Sequence, residues 1–239
     1  MRVNSYVVFG DNRNHWTYNI ATNRRQHHTM YPGWEFRVHT DSPLEDSGYS
    51  AVVNKLHREG LLKLVVVPEN GQEIQSRWKT MMMLWRLMPL WENTEYVFCR
   101  DLDSILTPRQ LQCVRDFINS GHTAHGISDN NGHDIPLMGG MCGFKTSAFR
   151  SIFPMSLNEL VSGLYKPDVW RSHGTDQRFL MNSIWPKVKK SSIVHGLSGP
   201  NYRGNLKIVT SADISDMSES VRARGDEFTN YIGAPGTIT

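Results

Sequence analysis

An alternation of short β-branched or aromatic runs with longer stretches of helical spacing constrains the fold of this sequence more than any other feature. Strand-like runs cover 3–10, 34–41, 61–69, 95–99, 122–128 and 191–196. Helix-like stretches cover 17–31, 75–92, 108–120 and 175–186. Strands that alternate with helices predict a mostly parallel sheet with helices on both faces. We therefore expect one α/β domain across residues 1–239.

Composition narrows the class of protein. Apolar residues make up 39% of the chain and charged residues 21%, which is enough to build a core and argues against disorder. The net charge of +3 is dispersed along the chain, which argues against a nucleic-acid-coating protein and leads us to expect no nucleic acid as a partner.

The lack of a recognisable targeting signal and the set of cysteines predict the same compartment. The apolar run at the N-terminus is too short for a signal peptide, and no later run approaches the roughly 20 residues of a membrane span. The three cysteines form an odd set without metal-type spacing, so they are expected to be reduced thiols. A soluble, cytoplasmic protein without a membrane span is the resulting expectation.

The stretch "CRDLDSIL" (99–106) carries the strongest functional signal. Asp101 and Asp103 follow directly on the apolar strand-like run 95–99. Ligands of parallel α/β sheets bind beyond the carboxyl ends of the strands, and residues i and i+2 of an extended segment point the same way. The two carboxylates either face water or converge on a hard cation such as Mg²⁺ or Mn²⁺.

Three functional interpretations of this pair are open. "DLDSILT" (101–107) is superficially similar to the first motif of haloacid-dehalogenase-type phosphatases, in which Asp101 would be the nucleophile. That motif normally lies on the first core strand, whereas about a hundred residues precede it here. A metal-dependent transferase is the second interpretation, and a non-catalytic sugar-nucleotide-binding protein is the third.

A family resemblance favours the transferase. The motifs that carry it occur in order along most of the chain: "FGDN", "YPGWEFRVHTD", "WRLMP", "RDLDSILTPRQ", "PLMGGMCGFK", "HGTDQRFL" and the late "IVHG". Together they resemble the metal-dependent glycosyltransferases of the Rossmann-like GT-A fold, particularly a small bacterial and viral group and, more distantly, lipopolysaccharide galactosyltransferases. The D-x-D of that family holds a metal on the donor diphosphate.

The resemblance implies a division of the chain as well as a reaction. Residues 1–107 would be the nucleotide-binding half, 108–205 the half for donor sugar and acceptor, and 206–239 a C-terminal tail. The reaction would transfer a sugar from a nucleotide-diphosphate sugar to a hydroxyl of a glycan or glycolipid. UDP is the preferred nucleotide with GDP next, and retention of configuration is slightly favoured over inversion.

The resemblance also implies a metal and nucleotide site. Asp101 and Asp103 would bind Mn²⁺ or Mg²⁺ and the diphosphate, and His195 would supply a third metal ligand. Arg86 would lie near the nucleotide and donor sugar and assist the leaving group. The residues expected to border base and ribose are Phe9, Gly10 and Asp11, with Trp16 or Tyr18 stacking on the base.

The remaining implied residues surround the transferred sugar. Gly139 and Gly140 would let the backbone approach the sugar closely. Asp176 and Gln177 would lie beside the reacting carbon, although an aspartate at a helix start also serves as a cap. Asp129 would lie near the donor sugar or acceptor, and either Asp129 or Asp176 could act as the base of an inverting reaction.

Overall fold

The computed structural model of the protein describes residues 1–10, 13–67, 79–104, 106–128, 135–163 and 174–196. Seven strands form one sheet in the order β3-β2-β1-β4-β6-β5-β7. The strands are β1 (Arg2–Val8), β2 (Glu35–Thr40), β3 (Lys63–Val66), β4 (Tyr96–Arg100), β5 (Ala124–Ser128), β6 (Met141–Lys145) and β7 (Ser192–Gly196). Among these described strands, β6 runs antiparallel to β4 and β5, and the other neighbouring pairs are parallel. The expected single α/β domain with a mostly parallel sheet is confirmed.

Helices cover both faces of the sheet. The described α-helices are α1 (Arg13–Met30), α2 (Gly48–Arg58), α3 (Pro108–Ser120), α4 (Thr146–Ile152), α5 (Leu157–Gly163), α6 (Thr175–Phe179) and α7 (Trp185–Val188). Apolar clusters under α1, α2 and α3 fill one face. A larger cluster fills the other face, where α4 to α7 pack with the segment that precedes β4. None of the described helices is long and apolar enough to cross a membrane.

The segment before β4 differs from the expected α-helix because it is a 3₁₀-helix, Lys79–Trp91. Three of its buried leucines are spaced three positions apart, which is the period of a 3₁₀-helix. Leu84, Leu87 and Leu90 enter the large core cluster. Trp85 packs instead with Val7 of β1 and with Val67. This geometry leaves Arg86 on a separate row of the segment, next to the end of β4.

Local sequence explains where α3 begins and ends. Thr107 caps the helix, since its side chain accepts a hydrogen bond from the backbone N–H of Gln110 at 3.1 Å. Pro108 occupies the first turn, where its missing N–H is harmless. Gly121 ends the helix with a φ of 74°, a left-handed conformation that glycine adopts without strain. The segment from Asp101 to α3 is therefore anchored at its far end.

The helical stretch expected over 175–186 is interrupted rather than uniform. A π-helical turn, Leu180–Ile184, separates α6 from α7. Pro186 lies near the start of α7, where its ring would clash with a carbonyl of a continuous α-helix. The wider turn accommodates that proline and lets α6 end against the sheet near its carboxyl edge.

Candidate functional site

Arg86 connects two carboxylates that are distant in sequence. Its Nη1 donates to Oδ1 of Asp101 at 2.6 Å, and its Nη2 donates to Oδ2 of Asp176 at 3.1 Å. A third bond runs from Nε to the carbonyl oxygen of Met83 at 2.8 Å, which fixes the guanidinium within its own helix. The structure therefore brings together three residues that the sequence had singled out separately.

Burial makes this cluster electrostatically strong. The side chain of Arg86 is 3% exposed, that of Asp176 is 10% exposed and that of Asp101 is 38% exposed. Burial opposes the charged form of Arg86, but the carboxylates of Asp101 and Asp176 outweigh that effect and raise the pKa of the guanidinium. Arg86 is therefore a permanent cation that faces a more open carboxylate on β4.

Gly139 and Gly140 form the wall of the cluster, immediately before β6. A Cβ atom on Gly139 would lie 2.4 Å from Oδ2 of Asp176, and one on Gly140 would lie 1.9 Å from Oδ2 of Asp101. Real Cβ atoms do not approach other atoms so closely. Only glycine fits at these two positions, so the backbone contacts both carboxylates directly.

Asp103 lies in the turn that follows β4, and its side chain is exposed. Partial desolvation raises its pKa above the usual value, and the nearby negative charge of Asp101 raises it further. The two carboxylates of the D-x-D thus interact electrostatically.

The cluster borders the point where the strand order of the sheet reverses. β1 lies between β2 and β4, so the carboxyl ends of β1 and β4 flank a topological switch point. Phe9 and Gly10 follow β1, and Phe9 packs against the side of the 3₁₀-helix that carries Trp85. The backbone N–H of Gly10 donates to Oδ2 of Asp41 at 3.1 Å. Phe9 and Gly10 therefore border the crevice that also contains Asp101.

Helix α6 carries Asp176, the second carboxylate that binds Arg86. Gly174 precedes the helix with a φ of 79°, and its carbonyl accepts the backbone N–H of Arg178 at 3.0 Å. Asp176, in the first turn of the helix, binds Arg86. Gln177 follows it with a half-buried side chain.

The structure does not bring His195 to the aspartates. The register places Arg100, Met141, Ile127 and His195 in one row across β4, β6, β5 and β7. Three strand spacings separate β4 from β7, about 14 Å. His195 also lies on the opposite face, with Nε2 at 3.9 Å from Oδ2 of Asp116 on α3. This placement does not support the expectation that His195 is a third metal ligand.

The described residues offer no preformed metal cage. Within them, no group of three or more histidine, cysteine, aspartate or glutamate side chains is arranged to hold a metal ion.

Several expected site residues cannot be placed. Asp11 and Asp129 lie outside the described residues. Trp16 and Tyr18 belong to α1, but their side chains lie outside the described part of the structure.

Two residues near the site were missed from the sequence. Asp41, at the carboxyl end of β2, holds Gly10, and its position in "RVHTD" after a strand was an available signal. Arg100 is buried on the face opposite Asp101, with its guanidinium carbon 5.4 Å from the ring centre of Phe98. Its place on a buried strand gave no hint that a charge would point into the core.

Comparison with known proteins gives similarity at the level of structure alone. No protein-family model and no curated protein matches the chain. One similar structure is a glycosyltransferase involved in the glycosylation of the major capsid of PBCV-1, with 12% identity, a TM-score of 0.48, and coverage of 93% of this chain and 100% of that one. S. aureus TarS 1-349 in complex with UDP has 14% identity and a TM-score of 0.48, covering 96% of this chain and 66% of that one. The same TarS fragment in complex with UDP-GlcNAc has 15% identity and a TM-score of 0.43, covering 96% and 67%. Similarity at this level does not identify which residues act or what they act on.

Proposed function

We propose that the protein is a metal-dependent glycosyltransferase that moves a sugar from a UDP-sugar to a hydroxyl of a glycan or glycolipid. The observation that carries the proposal is the bridge from Arg86 to Asp101 and Asp176 beside the β1–β4 switch point. Open α/β sheets bind their ligands at such points. The order of sequence motifs around these residues, which resembles GT-A glycosyltransferases, supports the same function.

The donor set at the D-x-D fits a hard divalent cation. Mg²⁺ and similar ions are commonly held by one or two carboxylates, with water and substrate phosphates filling the other positions. Asp103 is exposed, and Asp101 is partly open while its Oδ1 binds Arg86. These two carboxylates would hold Mn²⁺ or Mg²⁺ without His195. The cation, when bound, would stabilise negative charge on the leaving diphosphate.

The residues of the chain itself would orient the donor. Arg86 fixes Asp101 and Asp176 through two separate nitrogens, a geometry that lysine cannot reproduce. Gly139 and Gly140 keep the wall flat, so that a sugar can approach the backbone. Phe9 and Gly10 would border the base and ribose, and Asp11 with Trp16 or Tyr18 is proposed for the same subsite from the sequence.

The environment of Asp176 bears on the stereochemistry. Its Oδ2 accepts a bond from a buried guanidinium, so the carboxylate is engaged and not free to take a proton from an acceptor. A neutral side chain, Gln177, comes next on α6. This arrangement supports retention, with Asp176 as a positioning residue and Gln177 near the anomeric carbon. Asp129 stays the alternative base for inversion.

The phosphatase alternative requires Asp101 to attack phosphorus. Its Oδ1 is bound to Arg86 at 2.6 Å, and its Oδ2 lies against Gly140, so each carboxylate oxygen is partly covered by the protein. A carboxylate held in this way suits the binding of a ligand better than nucleophilic attack.

Calorimetric titration with UDP and GDP, with and without Mn²⁺, tests the proposal. UDP is expected to bind tightly only with the metal, and Asp103→Ala should abolish the metal-dependent part. Asp46→Ala, which removes an exposed carboxylate near α2, is the matched control and should bind like the wild type. Absence of nucleotide binding under every condition, or a phosphorylated Asp101, would contradict the proposal. Binding without release of UDP from any UDP-sugar would favour the non-catalytic interpretation.

A further inference from the structure

A cavity of about 530 Å³ opens at the edge of the sheet opposite to the aspartates. It lies between the last turns of α1, the start of β2 and the turn that leads into β3. Its lining includes Glu35 and Lys63, which begin these two strands, whereas Asp101 follows the carboxyl end of β4. A strand of six or seven residues separates the two edges by about 20 Å. The volume is typical of a small-molecule site, and the cavity is separate from the proposed donor site.

The rim of the cavity is positively charged. Arg24 and Lys63 line it, and Nε of Arg24 donates to the carbonyl oxygen of Leu61 on the opposite wall. The lining carboxylate, Glu35, already accepts from Nε of Arg37, so its charge is compensated. Lys63 is exposed and lies 4.0 Å from Glu92, which also pairs with Arg37. Arg24, Lys63 and Arg37 thus face the carboxylates of Glu35 and Glu92, which leaves one positive charge in excess at the opening.

The inner wall carries neutral polar groups. His27 and Tyr31 line the cavity and are 2% and 1% exposed, and their rings stack with centroids 5.5 Å apart. Nε2 of His27 has no hydrogen-bond partner among the described residues, whereas the hydroxyl of Tyr31 interacts with the buried guanidinium of Arg100. Burial, with a smaller contribution from Arg24, lowers the pKa of His27 to about 3, and burial raises the pKa of Tyr31. Both groups are neutral at pH 7, and a bound ligand or ordered water commonly satisfies a buried atom such as Nε2 of His27.

The floor of the cavity is apolar. Phe36 and Leu62 are buried and contribute to the lining, with the half-buried Trp34 beside them. A ligand that matches all three zones has an anionic group for the rim, an uncharged ring for the floor and a hydrogen-bonding atom for the inner wall.

We propose that this cavity binds a small organic phosphate. The phosphate contacts Arg24 and Lys63, because the opening carries an excess of positive charge and charge-assisted hydrogen bonds are the stronger kind. The uncharged body of the ligand rests on Phe36 and approaches Nε2 of His27.

Calorimetric titration of the full chain with phenyl phosphate, and with phenol as its uncharged analogue, tests this site. Phenyl phosphate is expected to bind saturably and phenol at least about tenfold more weakly, the difference that one charge-assisted contact supplies. Lys63→Ala should weaken the binding of phenyl phosphate by about tenfold. Lys55→Ala, which removes an exposed lysine of α2 outside the lining, should leave it unchanged.

Two further variants make the outcome decisive. His27→Phe, which keeps an aromatic ring and removes its nitrogens, should stay folded by circular dichroism and should still bind phenyl phosphate more weakly. Asp103→Ala should bind phenyl phosphate normally, since the donor site lies at the other edge. The proposal is overturned by equal binding of phenol and phenyl phosphate, by an undiminished affinity in Lys63→Ala, or by loss of binding in Asp103→Ala.

Discussion

Asp101 of the β4 edge and Asp176 of α6 bind the two terminal nitrogens of one buried guanidinium, that of Arg86. The bridge links the end of a central strand to a helix that arrives much later in the chain. The side chain of Asp176 is only 10% exposed, and Arg86 is the cation that pairs with it. Removal of the cation should therefore affect both folding and the binding of a ligand.

Arg86→Met should reduce the free energy of unfolding by about 3 kcal/mol, because it leaves a buried carboxylate without its cation. Arg86→Lys should recover part of the loss, since a single ammonium cannot bridge both carboxylates as a guanidinium does. Urea denaturation measures both values. Arg58→Met is the matched control, because Arg58 is exposed and lies 4.0 Å from Asp46. A stability of Arg86→Met equal to that of the control would mean that the bridge does not form.

Gly140→Ala should distort the site, since its new Cβ would fall 1.9 Å from Oδ2 of Asp101. Overpacking of this kind typically lowers stability by about 1–3 kcal/mol. The affinity for UDP should fall at the same time, because Asp101 has to move. Gly163→Ala offers a control in α5, where nothing lies within 4 Å of the added atom. Thermal melting and UDP titration of the two variants should differ clearly, and identical behaviour would show that the wall is less tight than described.

The stability of the protein should fall as the pH decreases from 6.5 toward 4. Burial lowers the pKa of His39 to about 4, partly offset by its hydrogen bond to the carbonyl of Tyr6. Below pH 6.5 the histidine is protonated in the unfolded chain but stays neutral in the folded chain. The histidine therefore does not reduce the free energy of unfolding above pH 6.5. Below that pH, each such histidine lowers it by about 1.4 kcal/mol per pH unit. His27, whose pKa is about 3, adds to the effect in the same direction.

His39→Asn isolates this contribution, because asparagine keeps a donor for the carbonyl of Tyr6 and removes the titrating ring. Urea unfolding between pH 7 and pH 4.5 should show a slope that is lower by about one proton than in the wild type. His28→Asn changes an exposed histidine of α1 and serves as the control. An unchanged slope in His39→Asn would place the acid sensitivity elsewhere.

The three cysteines should not react with thiol reagents in the native protein. Cys99, Cys113 and Cys142 are each no more than 1% exposed, and a hydrogen bond with Cys99, together with burial, raises the pKa of Cys142. Because the thiolate is the reactive form, Ellman's reagent should label none of them within minutes and all of them after unfolding. Val52→Cys, at a position that is 42% exposed, provides a positive control. Rapid labelling of a native thiol would contradict the burial described.

The sheet and the location of the site were accessible from the sequence for a physical reason. Strands buried on both faces are nearly continuous apolar runs, as in β1 and β4, where all or nearly all residues are buried. Polar residues directly after such runs must lie at the carboxyl edge of the sheet. Asp101 and Asp41 both follow this rule.

Features set by tertiary contacts were not accessible. The apolar, glycine-rich run before 145 does not alternate, so nothing in it predicts that β6 is antiparallel to β4. Helix α2 was missed because only Ser50 and Val53 of its residues are fully buried, and Ser47 makes no capping bond. The apolar spacing of 79–91 also fits an α-helix, because residues three positions apart lie near each other in both an α-helix and a 3₁₀-helix.

The error at His195 has a similar origin. A histidine at the end of a late strand lies at the correct edge of a parallel sheet, but the sequence does not say where that strand inserts. β7 pairs with β5, three strands from β4, and its His195 faces α3. Conversely, the partnership of Arg86 with Asp176 is a contact between distant segments, which no local pattern reveals.

The central claim is that Asp101 and Asp103 hold a divalent cation on the diphosphate of a nucleotide. Anomalous diffraction from crystals of the protein grown with UDP and Mn²⁺ tests it most directly. The expected result is one manganese peak within coordination distance of a carboxylate oxygen of the D-x-D and of the phosphates of UDP, about 2.0–2.4 Å. A nucleotide bound at another edge of the sheet, or manganese bound away from both aspartates, would contradict the claim.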